Sequence, residues 1–181
     1  MTIVASKWSQ SLENLIIGSN NSHRIAISKC LVLLADLHEM QTFRLVGCRM
    51  ENVDDVRRLV MSWPKLRALR LFPSRNQLIS LSILRKIAES CPELRHLNIQ
   101  LDTSTIPPFD TASKGLRHNL EVLNVSSRVH SPLIKLERQI QVARHLDLMF
   151  PYLKTIAVHD ENWSGIRDLV KFAQDVRRGW Y

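Results

Sequence analysis

The apolar positions of the chain fall into a recurring triplet, one large residue followed by others three and five places on. It reads Leu12-Leu15-Ile17, Met40-Phe43-Leu45, Leu66-Leu69-Leu71, Leu94-Leu97-Ile99, Leu120-Leu123-Val125 and Leu153-Ile156-Val158, with first members 28, 26, 28, 26 and 33 residues apart. In the last four residues of each triplet apolar side chains alternate with others, as in a short strand with one buried face. A period of that size is the mark of a solenoid.

Between triplets the spacing lengthens to that of a helix. After the second come Val53, Val56, Leu59 and Val60, with Asn52 placed to cap and Asp55 in the first turn. Leu81, Leu84, Ile87 and Ala88 follow the third triplet. Behind the fifth, Ser131-Pro132 reads as a cap and a first-turn proline leading into Leu133, Leu136, Ile140 and Ala143. The sixth is followed by Ile166, Leu169, Val170, Ala173 and Val176, closed by Arg177-Arg178-Gly179. After the first, Ile25 to Met40 supplies the helix. The fourth differs: Thr103-Ser104-Thr105-Ile106-Pro107-Pro108 reads as an extended loop, because two prolines bar a helix. Trp63-Pro64, Cys91-Pro92 and Phe150-Pro151 each set an apolar anchor and a helix-stopping proline just ahead of a strand.

The unit is thus strand, turn, helix, turn. One unit cannot bury both its faces, so neighbours must stack. The predicted fold is α/β, a solenoid of about six repeats with a curved parallel sheet on its concave side and helices on its convex side. An open doubly wound α/β sheet would share the alternation but not the fixed register of the triplets.

Composition narrows the class. With 181 residues, 45% hydrophobic and 23% charged, the chain reads as one domain, 1–181, of ordinary soluble make-up. No apolar run approaches the ~20 residues of a membrane span, and the start, Met1 to Trp8, lacks the charged and apolar regions of a secretory signal. Cys30, Cys48 and Cys91 are odd in number and far apart, with no C-x-x-C pair, so free thiols in a reducing compartment are expected, cytoplasmic or nuclear. The net charge of +8 favours acidic partners.

Met40-Gln41-Thr42-Phe43-Arg44-Leu45-Val46-Gly47-Cys48-Arg49-Met50 follows the leucine-rich-repeat pattern L-x-x-L-x-L-x-x-C-x-L, with methionine and phenylalanine as apolar stand-ins. Together with Cys91-Pro92-Glu93-Leu94-Arg95-His96-Leu97 it resembles the long, cysteine-containing repeats of the F-box/leucine-rich-repeat family, the divergent fungal members above all, over about residues 8 to 178. The resemblance implies a curved domain that recognises a substrate, and a separate F-box that docks on the Skp-type adaptor of a cullin–RING ubiquitin ligase. No F-box is expected here, since the first repeat is under way by Trp8, and the chain reads as a piece of a longer solenoid. The ninth repeat position departs from the pattern, with Asn20 and Cys48 early but Ser74, Asp102, Arg128 and Glu161 later.

Residues between the triplet members point away from the core. The third position gives Asn14, Thr42, Ala68, His96, Val122 and Thr155; the fifth gives Ile16, Arg44, Arg70, Asn98, Asn124 and Ala157; the seventh gives Gly18, Val46, Phe72, Gln100, Ser126 and His159. The centre of this face, Arg44, Arg70, Phe72, His96, Asn98, Gln100 and Asn124, is the candidate partner-binding surface. Arginines, an aromatic ring and amides on a rigid sheet suit a protein or peptide of acidic or phosphorylated character. The Thr103–Ser113 loop either reaches over that face or is disordered. A non-catalytic interaction module is expected, through the resemblance the substrate-recognition part of an F-box-type ubiquitin ligase receptor.

The alternative is a basic scaffold for nucleic acid or another polyanion, built on Arg57-Arg58, Arg67/Arg70, Arg85-Lys86 and Arg177-Arg178. Most of these fall on separate helices, and aromatics make up only 6% of the chain. Catalysis has little to stand on. Histidines 23, 38, 96, 118, 130, 145 and 159 form no H-E-x-x-H, and there is neither a G-x-S-x-G nor a phosphate-binding glycine loop. His145 and Asp147 diverge in direction on a helix. Asp54-Asp55, Asp36/Glu39 and Asp160-Glu161 read as caps or solvated charges. No cofactor, metal or membrane partner is expected.

Overall fold

Each of the six triplets ends in a strand. The computed structural model describes residues 11–18, 30–47, 52, 54–72, 78–108, 115–126, 134–158 and 161–179. The triplet strands are β1 (Asn14–Gly18), β2 (Thr42–Val46), β3 (Ala68–Phe72), β5 (His96–Asp102), β6 (Val122–Ser126) and β7 (Thr155–Val158); a two-residue strand, β4 (Ile79–Ser80), pairs with the end of β5. All pairings are parallel, and the triplet strands stand in chain order, β1-β2-β3-β5-β6-β7. The helices among the described residues are α1 (Leu31–Ala35), α2 (Asp54–Met61), α3 (Leu81–Ser90), α4 (Leu136–Met149) and α5 (Glu161–Gly179). The fold is α/β.

A sheet that advances one strand at a time by right-handed crossovers must carry its helices on one side. Accordingly each helix packs on the next, from α1 through α5. The strand residues facing the helices are the triplet members. From the second triplet to the fifth every member is buried, and all join one continuous core. The first triplet is only half-buried, and Ile16 is 68% exposed.

The strand starts share one hydrogen-bond pattern. The carbonyls of Glu13, Gln41, Arg67, Arg95 and Glu121 each accept two amides from the next unit, at 2.7–3.0 Å. The turns into the strands repeat as well. The amide of the first triplet residue donates to the carbonyl three residues back, Met40 to Leu37, Leu66 to Trp63, Leu94 to Cys91 and Leu153 to Phe150, at 3.1–3.2 Å. The anchors Trp63, Cys91 and Phe150 are fully buried, as their place before proline predicts. Trp63 also donates from Nε1 to the Leu34 carbonyl at 3.0 Å, and its ring lies 4.8 Å from that of Phe43. The Cys91 thiol points at the carbonyls of Val60 and Trp63, and burial pushes its pKa up to about 12, so it is a packed donor and no nucleophile.

At the start of α2 the cap is reciprocal, as the sequence predicts. Asn52 Oδ1 accepts the Asp54 amide at 2.9 Å, and Asp55 Oδ2 accepts the Asn52 amide at 3.3 Å. Gly47 closes β2 at φ 67°, a backbone that suits glycine, and its amide donates to the Phe72 carbonyl at 2.9 Å.

Three expectations need correction. On α4 the buried face is Val142, Ala143, Leu146 and Met149, whereas Leu136 and Ile140 are 65% and 42% exposed. The apolar run begins before the part of the helix that reaches the core, so the first turns were read onto the wrong face. On α5, Val176 is exposed and Gln174 holds the buried place, with its Nε2 near the Phe150 carbonyl. Finally, the described part of the loop after β5 does not cross the open face. Ile106 packs against the core, and the Pro107 carbonyl meets His145 Nε2 on α4 at 3.1 Å, so the described part of this segment lies on the helix side of the sheet. The proposed Ser131-Pro132 cap with Leu133, the start of the first helix at Ile25, Val53, and Asn20, Cys48, Ser74, Arg128, His23, His130, His159 and Asp160 lie outside the described residues. No helix among the described residues is long and apolar enough to cross a membrane.

Candidate functional site

The registers of the sheet turn the sequence columns into rows. Ile16, Arg44, Arg70, Asn98, Asn124 and Ala157 are successive partners across the strands. Asn14, Thr42, Ala68, His96, Val122 and Thr155 form a second row two residues earlier. Gly18, Val46 and Phe72 begin a third, and Gln100 pairs with Ser126 further along it. Alternation along each strand puts these residues on the side away from the helices. All seven candidate residues therefore stand on one face: Arg70 and His96 exposed; Arg44, Phe72, Asn98, Gln100 and Asn124 half-buried.

The three rows are poor in negative charge, the acid on this side of the sheet being Asp102 at the end of β5, two residues past Gln100. None of the three rows contains Asp or Glu. Arg44 and Arg70 are direct partners on neighbouring strands, and neither has an ion pair among the described residues. Two atoms on the face are buried without a hydrogen-bond partner, the donor Arg44 Nε and the acceptor Gln100 Oε1.

Elsewhere several cations are paired with acids. Along the strand starts, Lys65 pairs with Glu39 at 2.6 Å, Arg67 with Glu93 at 3.2 Å, and Glu121 holds both Arg95 at 2.8 Å and Lys154 at 2.9 Å. The Glu121 carboxyl is held below its ordinary range, first by the hydrogen bond from Lys154. On the helices Arg57 meets Asp54, Arg85 and Lys86 share Glu89, and Arg177 meets Asp147. This ladder was not anticipated from sequence. Its signal is the two columns flanking the first triplet residue, where Glu39 and Lys65, Arg67 and Glu93, Arg95 and Glu121, and Glu121 and Lys154 stand about one repeat apart and opposite in sign.

Among the described residues, His38, His118 and His145 have structural partners. His145 reaches the Pro107 carbonyl while Asp147, two residues on, pairs with Arg177, so the two do not form a dyad. His118 is buried between units. Its Nδ1 accepts the Leu120 amide at 3.0 Å and its Nε2 donates to the Cys91 carbonyl at 2.8 Å, with the ring edge-on to Phe150 at 5.4 Å. Burial holds this imidazole below its usual range, which fits a neutral ring with one nitrogen accepting and the other donating.

A cleft of about 510 Å³ opens between β7 and α5, lined by Lys154, Arg167, Asp168, Lys171, Asp175 and Arg178 among others, and none of the candidate residues lines it. Among the described residues no group of three or more His, Cys, Asp or Glu is placed to hold a metal ion. A scan against protein-family models finds no match, and a search of the curated proteins finds none either.

Proposed function

We propose that this chain is a leucine-rich-repeat solenoid working as a non-catalytic protein-binding module, with the uncovered face of the sheet as its binding surface. The observation that carries the reading is the row Arg44–Arg70–Asn98–Asn124, four hydrogen-bonding side chains in register across consecutive triplet strands. Parallel sheets are ordinarily covered on both faces. A parallel sheet with helices on one side only leaves a rigid surface whose polar groups are set by backbone registry, which costs little ordering on binding. If the F-box resemblance holds, the same face is the substrate-recognition part of a ubiquitin ligase receptor, and a Skp-type adaptor would engage only through an F-box elsewhere in the protein.

Site-specific photo-crosslinking tests this reading. A photoreactive residue replacing Arg70 or His96 should capture protein in cells, and one replacing Lys86 or Arg57 on the helix side should not. Equal capture from both sides would overturn it. So would nucleic acid as the crosslinked species, with binding that falls steeply with salt.

A further inference from the structure

The two ends of the sheet are complementary, and we propose that copies of this chain associate head to tail, β1 of one copy adding as a parallel strand to β7 of another. These strands close the strand order, and among the described residues each is paired on one side only. An edge strand with unpaired amides and carbonyls is a template for another strand. Here the unpaired groups match. At each junction from β5 onward and at β1 to β2, the carbonyl one place after the first triplet residue accepts two amides from the following unit, as Glu121 accepts those of Lys154 and Thr155. The next carbonyl of that series belongs to Lys154, which accepts no amide among the described residues. The amides at the corresponding places on β1 are those of Glu13 and Asn14. Carried one step further, the register sets Thr155 beside Asn14, Ile156 beside Leu15, Ala157 beside Ile16 and Val158 beside Ile17.

The side chains at the two ends also match. Leu12, Leu15 and Ile17 are only half-buried, and a strand laid along β1 would cover them as the later triplets are covered. Ile16, 68% exposed, would lie against Ala157. At the other end, the cleft of about 510 Å³ between β7 and α5 has Leu153, Ile156 and Val170 in its wall, an apolar row that Leu12 and Leu15 continue. The same cleft carries four cations, Lys154, Arg167, Lys171 and Arg178, against two acids, Asp168 and Asp175. A two-fold pairing of β7 with β7 would bring two such sets of cations together. Head-to-tail stacking instead sets Lys154 beside Glu13, an exposed acid with no ion pair among the described residues, at the offset by which Lys154 already meets Glu121. Because the contact joins two different surfaces, it does not close on itself, and association continues beyond the dimer.

Sedimentation of the whole chain over a concentration series tests the proposal. The average mass should rise past that of a dimer without reaching a plateau. Lys154→Glu or Glu13→Lys should weaken association roughly tenfold, and the two changes in one chain should restore it. Asn14→Pro is the sharper block. Like the amide of Thr42, which donates back to Glu13, the Asn14 amide points away from the following strand, so at this edge proline removes only an outward donor. That variant should fold as the parent does by circular dichroism and stay monomeric. It keeps the test informative if Lys154→Glu, which sets two acids side by side at Glu121, fails to fold. Arg85→Gln with Lys86→Gln on α3 should change nothing. A parent chain still monomeric at about 1 mM, a plateau at the dimer, or association that survives Asn14→Pro would each overturn the proposal.

Discussion

The turns into β3, β5 and β7 and the turn into β6 solve one problem in two ways. In the first three a helix ends, an anchor (Trp63, Cys91 or Phe150) drops into the core, and its carbonyl accepts the amide of the first strand leucine. Before β6 the described residues, 115–121, form no helix. There the ring of His118 takes over, accepting the Leu120 amide in place of a carbonyl and donating to the Cys91 carbonyl of the neighbouring unit. What each turn needs is a buried plug and an acceptor for one amide. A helix end is one way to supply both, and a neutral imidazole is another.

The first way to break this comparison is to remove a plug. Trp63→Ala deletes a fully buried ring that packs on Phe43 and leaves the Leu34 carbonyl without its indole donor. A loss of about 3–5 kcal/mol is expected from the cavity alone. Urea unfolding monitored by circular dichroism reads it directly, and a loss under 1 kcal/mol would mean that the anchor column is not what holds the units together.

The imidazole turn should break differently. His118→Phe keeps an aromatic plug against Phe150 but strands the Leu120 amide, at an expected cost of about 1–3 kcal/mol. It should also erase a pH dependence. The folded-state pKa of His118 lies below the unfolded value, held there chiefly by burial, so the unfolded chain binds the proton more readily. His118 therefore contributes stability fully at pH above about 6.5, and that contribution is lost as pH falls from there through the folded-state pKa. Protonation would turn Nδ1 into a donor facing another donor. Thermal melts taken at pH 7.5 and at successive steps below pH 6.5 should show this decline in the parent chain and a flatter profile in His118→Phe. Parallel profiles would assign the decline to another group.

How far these features were legible in advance follows from their range. The triplets and the anchors before proline are local patterns, and both the strand order and the rows of the open face follow from them because a fixed period fixes registry. All seven candidate residues share that face for this reason. The faces of α4 and α5 were misjudged at Leu136, Ile140 and Val176 because a helical period says which residues align, not how much of the helix meets the sheet. His118 was invisible as a structural residue. Nothing in Arg117-His118-Asn119 announces that the ring will accept the Leu120 amide, or that the Cys91 carbonyl stands within reach. The charge ladder falls between these cases, since its columns are in the sequence but its pairings need the sheet spacing.

The smallest expected effect comes from that ladder, and it sharpens the comparison by being unlike the turns. Glu121 joins Arg95 on one neighbouring strand start and Lys154 on the other, in the open, where water and salt screen it. Its carboxyl is held below the ordinary carboxylate range, first by the Lys154 hydrogen bond, so its contribution is present above about pH 4.5 and lost as pH falls through the lower folded-state value. Glu121→Gln should therefore cost less than either turn variant, and the cost should vanish when the melt is repeated in ~1 M salt. It should leave untouched the decline that begins near pH 6.5, because that belongs to the buried imidazole. A loss as large as that of His118→Phe, or one indifferent to salt, would mean that the units are locked by their charged edge as much as by their plugs.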